Sequence, residues 1–127
     1  MGRFWLMMGC LFAGLSVLLG AFAAHVLKQS ISVETMETFE IATRYMMFHS
    51  MALLVLGLWS HWEKWSSSFW AGFFFVFGII LFSGSLYGLA LLQIQWMAYV
   101  TPAGGIFFVM GWLYFMFSVF STRNKFV

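Results

Sequence analysis

Four long apolar runs, at approximately 4–26, 39–60, 68–92 and 98–120, occupy almost the whole chain and leave only short connections between them. Each is near or above the ~20 residues that carry a helix across the ~30 Å hydrocarbon core of a bilayer. Membrane barrels are built instead from strands of about ten residues that alternate apolar and polar side chains, and these runs are continuously apolar. Only 8% of the residues are charged and mean hydropathy is +0.94, whereas a soluble domain carries roughly a quarter charged residues. The expected fold is all-α, an integral membrane four-helix bundle, with residues 1–127 forming a single four-span domain.

A net charge of +2 is too small to suggest a nucleic-acid partner, so the distribution of charge matters more. Four spans place the N-terminus, the second loop (61–67) and the C-terminus on one side, with Arg3, Lys64, Arg123 and Lys125. The other side holds Lys28 in the first loop, and Arg44 if it is counted there. Four cations against two point to both termini in the cytoplasm. Trp59, Trp62, Trp65 and Trp70 read as an aromatic belt at one interface, with Trp96 and Tyr99 at the other. Cys10 is the only cysteine, which excludes an intramolecular disulfide; it reads as a small buried thiol in a helix.

Small residues mark where membrane helices approach closely. In the first span Ser16, Gly20 and Ala24 share a face with Ala13, while Gly14, Ala21 and His25 lie opposite. A helix small on two sides is expected to touch two neighbours and to occupy the centre of the bundle. In the third span Gly84 and Gly88 form a G-x-x-x-G spacing, and Gly104 and Gly105 open the fourth. Thr101 suits an N-cap, with Pro102 in the first turn where its missing N–H costs nothing. Ser32 suits the cap of a turn leading into the second span, with Glu34 and Glu37 near its positive end.

The polar residues inside the spans gather by depth. His49 lies nine residues beyond Glu40 and Ser83 lies nine before Leu92, so each is about 13 Å into its span at 1.5 Å per residue. His25, Tyr45, His49, Ser83, Ser85, Tyr87 and Thr101 therefore fall in the outer half of the bundle and form a candidate pocket. On the second helix Glu40 precedes Arg44 by four residues, the favourable order for an ion pair, and this pair is expected at the rim. The Tyr45/His49 face points the opposite way. His49 is expected either to bond another helix, through Ser83, Ser85 or Tyr87, or to serve a proton-relay or ligand-binding role. His25 and His49 could also supply two ligands to haem or zinc, but neither C-x-x-C-H nor His-x-x-x-His occurs, so no metal or cofactor is expected.

Four motifs carry a family resemblance: Gly20-Ala21-Phe22-Ala23-Ala24-His25, Arg44-Tyr45-Met46-Met47-Phe48-His49, Leu81-Phe82-Ser83-Gly84-Ser85-Leu86-Tyr87 and Thr101-Pro102-Ala103-Gly104-Gly105. In this order and spacing the chain resembles a family of small four-span membrane proteins of unknown function, whose members include bacterial inner-membrane proteins and the animal transmembrane protein 256. Ala23 stands where relatives often have Gly, and Met46 where Gln is common. The resemblance implies a multi-pass protein of the bacterial inner membrane and transfers no reaction.

The leading functional expectation is a non-enzymatic protein that binds a small ligand, a lipid or a partner helix at an outward-facing polar pocket. Expected partners are membrane lipids, and another membrane protein or a second copy of the chain. A transporter or channel subunit gated at His49 is the alternative. A membrane enzyme would need His25 or His49 as general base beside Ser83, Ser85 or Tyr87, and the sequence offers no carboxylate pair or nucleophile motif to support it.

Overall fold

The computed structural model describes residues 1–62 and 67–122. Lys64, Arg123 and Lys125 of the charge count, and Trp65 of the aromatic belt, lie outside the described residues. The chain runs through α1 (Gly2–His25), a 3₁₀ turn (Leu27–Gln29), α2 (Val33–Trp59), α3 (Ser67–Gly78), a π turn (Ile79–Ser83), α4 (Gly84–Leu92), a second 3₁₀ turn (Gln95–Tyr99) and α5 (Thr101–Ser121). α3, the π turn and α4 are continuous and make one span, Ser67–Leu92, so four helical segments are long and apolar enough to cross a membrane. Among the described residues there is no strand. The protein is an all-α integral membrane four-helix bundle.

Local chemistry explains where the helices start and stop. Ser32 caps α2, its hydroxyl accepting from the Thr35 amide at 3.2 Å. α4 ends on Gln93, whose amide donates to the Gly88 carbonyl and whose left-handed conformation (φ 53°) turns the Ile94 amide back to the same carbonyl at 3.5 Å. Thr101 is not the cap expected of it: Val100 is, and Thr101 is the first helical residue, its hydroxyl turned back to the Met97 carbonyl at 3.3 Å. Pro102 sits in the first turn of α5, where it displaces no hydrogen bond.

Close helix contact follows chain order, α1 on α2, α2 on the third span, and the third span on α5. α2 and the third span thus each have two close neighbours, and α1 is peripheral, against the expectation that its two small faces would each find a neighbour. Only one face is used. Trp5, Gly9, Phe12, Ser16 and Ala23 are buried, while Gly14, Ala21 and His25 are exposed. Cys10 is exposed as well, on the outside of α1 rather than buried.

In hydrocarbon there is no hydrophobic gain from pairing helices, so density of contact holds them together. At one end of the α1/α2 pair Gly2 and Gly57 face each other; a Cβ on Gly57 would lie 2.9 Å from the Gly2 carbonyl oxygen. On the other side of the bundle the α5 backbone meets the π turn at Gly104, where a Cβ would strike the backbone nitrogen of Phe82. Gly84 and Gly105, expected to pack helices, have nothing near them, and Ala24 is exposed. Gly88 does pack, but against the Met97 side chain of the following turn rather than another helix. Large exposed side chains such as Met7, Leu18, Phe48, Met116 and Phe120 cover the outside, as a surface bathed in acyl chains requires.

Candidate functional site

The π turn sets the polar geometry of the third span. Its wider turn carries the Gly84 amide back to the Ile79 carbonyl and leaves Ser83 buried against α2, donating to the Ala42 carbonyl at 2.7 Å. Two residues on, the hydroxyls of Ser85 and Thr101 meet at 2.7 Å and join α4 to α5. Tyr87 lies 2.7 Å from Thr43. Thr43 donates its only hydroxyl hydrogen to the Phe39 carbonyl at 3.1 Å, which leaves the Tyr87 phenol as the donor between them.

His49 is buried in α2, and none of the third-span hydroxyls is its partner. Its Nε2 lies 3.1 Å from Nε1 of Trp112 on α5, and its Nδ1 lies 2.7 Å from the Tyr45 carbonyl. An indole nitrogen can only donate, so Nε2 must be the bare nitrogen and Nδ1 must carry the hydrogen given to Tyr45. The ring is therefore neutral with both nitrogens engaged. Phe108 stacks on its face at a centroid distance of 3.5 Å and an interplanar angle of 9°. Glycines make room for these rings: a Cβ on Gly78 would lie 2.5 Å from Phe108, and one on Gly111 would lie 2.6 Å from Phe75.

The seven candidate pocket residues thus separate into local ties between helices. Ser83 binds α2 backbone, Ser85 binds Thr101, Tyr87 binds Thr43, and His49 binds Trp112, with Tyr45 packed on Phe82 and Phe108. His25 stands apart, exposed at the end of α1. With His49 enclosed and His25 exposed on a different helix end, the two do not form a shared metal or haem site. No group of three or more metal-ligating side chains occurs among the described residues.

Ser16, Gly20 and Ala24, expected to serve as helix packing, and the pair expected at the rim come together elsewhere. A groove of about 330 Å³ lies between α1 and α2. Ser16, Gly20, Ala23 and Ala24 line its α1 side, and Glu40, Thr43, Arg44, Met47 and Phe48 its α2 side. Glu40 and Arg44 are both exposed and, among the described residues, make no ion pair with each other. A Cβ on Gly20 would lie 3.9 Å from the Thr43 methyl, so ordinary contact closes the groove floor there. Gly20 is five residues before the end of α1, which puts Gly20 and the Thr43 side chain facing it about 7.5 Å below that end. Neither the small-residue spacing nor the charge pair pointed to a groove by itself; the signal lay in the two patterns facing each other across α1 and α2. A larger cleft of about 600 Å³ lies at the opposite end, between Gly2 and Arg3 of α1, Gly57 of α2, and Ser60, His61 and Trp62 after α2.

Residues 19–105 match the profile of the family described as "Protein of unknown function (DUF423)". The chain belongs to the DUF423 family. It is 43% identical to a "UPF0382 membrane protein" of Staphylococcus epidermidis over 87% of this chain and 90% of that relative. It is 37% identical to the "UPF0382 inner membrane protein YgdD" of Escherichia coli K12, over 97% of this chain and 94% of the relative. No solved structure matches the chain. The segment matched to DUF423 contains the groove lining from Gly20 to Phe48, and also His49, Ser83, Ser85, Tyr87 and Thr101, while Trp112 lies beyond it. Membership of DUF423 establishes a membrane protein family without assigning it an activity.

Proposed function

We propose that this DUF423 protein is a non-catalytic membrane protein that holds a membrane lipid in the groove between α1 and α2. The observation that carries this reading is the division of that groove into two parts. Its floor and inner wall are small or apolar (Gly20, Ala23, Met47, Phe48), and its outer rim bears Arg44 and Glu40, charged and not neutralising each other. An intramembrane-level cation with no partner among the described residues lowers its cost by reaching a phosphate at the headgroup level. A groove open on its side to the bilayer admits an acyl chain without the chain leaving hydrocarbon.

The cluster around His49 supports a structural role instead. His49 is 5% exposed, both its ring nitrogens are bonded, and it lines none of the cavities described above. A transporter gated there would need a water path to the imidazole.

In this reading the protein resides in a bacterial inner membrane with both termini cytoplasmic, so the groove faces the outer leaflet. The E. coli relative is named an inner membrane protein, and the cation count supports the orientation. The test is native mass spectrometry of the protein extracted from its own membrane in mild detergent. Retained phospholipid that Gly20→Leu, which fills the groove, largely removes is the expected result. Delipidated protein, or lipid retained equally by wild type and Gly20→Leu, would overturn the reading.

A further inference from the structure

We infer that the groove selects a zwitterionic phospholipid whose headgroup ends in a primary ammonium, an ethanolamine-type headgroup, over choline-type and anionic glycerol-type ones. The inference rests on the lipid-binding reading above and concerns only which headgroup occupies that site.

Glu40 and Arg44 are one helical turn apart, about 6 Å along the axis of α2, and both line the same groove. α2 enters the membrane from its Val33 end, so Glu40 is the outer of the two and Arg44 the deeper. A phospholipid whose headgroup is turned outward along α2 presents its charges in the same sequence. Its phosphate lies next to the glycerol and hydrocarbon, and the ammonium lies further out. Phosphate on Arg44 and ammonium on Glu40 therefore satisfies both side chains once the headgroup, which lies nearly parallel to the surface of a free bilayer, is drawn outward along α2. Glu37, exposed a turn further out, extends the acidic side in the same direction.

Other headgroups match less well for identifiable chemical reasons. A trimethylammonium group carries charge but has no N–H to give, whereas a primary ammonium donates charge-assisted hydrogen bonds to a carboxylate. A glycerol headgroup leaves Glu40 facing a net anionic lipid with no cation to offset it. Arg44 would hold the phosphate of any of them, so it sets affinity and Glu40 sets selection.

The test offers the detergent-purified protein an equimolar mixture of phosphatidylethanolamine, phosphatidylcholine and phosphatidylglycerol with identical acyl chains, and reads bound lipid by native mass spectrometry. Wild type is expected to retain the ethanolamine lipid about fivefold over each of the others, the ratio that an interaction at the upper end of exposed charge pairs gives. Glu40→Gln is expected to lose that preference over choline lipid while still binding lipid, Glu40→Asp to keep most of it, and Arg44→Gln to lower retention of all three. Lipid bound in an Arg44-dependent way, but with no ethanolamine preference or with one that Glu40→Gln leaves unchanged, overturns the headgroup inference and leaves the groove reading standing. Retention that neither Arg44→Gln nor Gly20→Leu changes overturns both.

Discussion

The Trp112 indole donates to Nε2 of His49 across 3.1 Å and joins α5 to α2. That single bond fixes the tautomer of a buried histidine, since the Tyr45 carbonyl then takes the hydrogen on Nδ1. Replacing Trp112 by Phe keeps a ring beside Phe75 and removes the donor along with part of the indole's contact surface. Stability should fall by roughly 1 kcal/mol, the scale of side-chain hydrogen bonds between membrane helices. Thermal unfolding in detergent reads this as a lower Tm for Trp112→Phe, and an unchanged Tm would mean that the bond contributes nothing.

Gly104 and Gly105 are neighbours with opposite surroundings. A methyl group on Gly104 would strike the Phe82 backbone in the π turn, whereas one on Gly105 meets nothing. Gly104→Ala should therefore destabilise by about 1–3 kcal/mol through overpacking against atoms that cannot turn aside. Gly105→Ala should be neutral or stabilising by up to about 1 kcal/mol, because alanine suits a helix better than glycine. Denaturant or thermal unfolding of the two single variants side by side checks the pair.

Gln93 pays a local conformational cost at φ 53°, a region that glycine enters freely. Gln93→Gly should stabilise the turn after α4 by about 1 kcal/mol, seen as a raised Tm with no change in helix content by circular dichroism. A lowered Tm would show that the Gln93 side chain makes a contribution larger than the backbone strain.

Orientation is open to direct labelling. In a Cys10→Ser background, Ser30→Cys in the first loop should react with a membrane-impermeant maleimide added outside spheroplasts, and Ser60→Cys should react only after permeabilisation. The reverse pattern would place the groove in the cytoplasmic leaflet.

Much of the fold was legible because the bilayer allows so little else: long uninterrupted apolar runs at membrane depth become helices, and Ser32 marked its cap with ordinary hydrogen-bonding chemistry. Burial of His49 and Ser83 was legible from depth alone. Their partners were not, because which face of a helix meets which neighbour depends on bulky side chains finding glycines. Phe108 over Gly78 and Phe75 over Gly111 bring α5 close enough for Trp112 to reach His49, and no spacing within α5 announces that. The π turn was equally hidden, since Ile79–Ser83 reads as plain helix and only the tight seat against Gly104 and the Ser83 bond to Ala42 reveal its place. Small residues in α1 suggested two contact faces, but a lipid-facing alanine or glycine looks the same in sequence as a packed one.

The most direct test of the groove is to find where a bound lipid lies. The protein is loaded with a phospholipid bearing a diazirine in its acyl chain, washed in detergent until only retained lipid remains, irradiated, and mapped by peptide mass spectrometry. Adducts concentrated on the groove residues Gly20, Met47 and Phe48 are the predicted result. Adducts spread evenly over exposed positions outside it, such as Met7, Ile106 and Met116, would contradict a specific lipid site between α1 and α2.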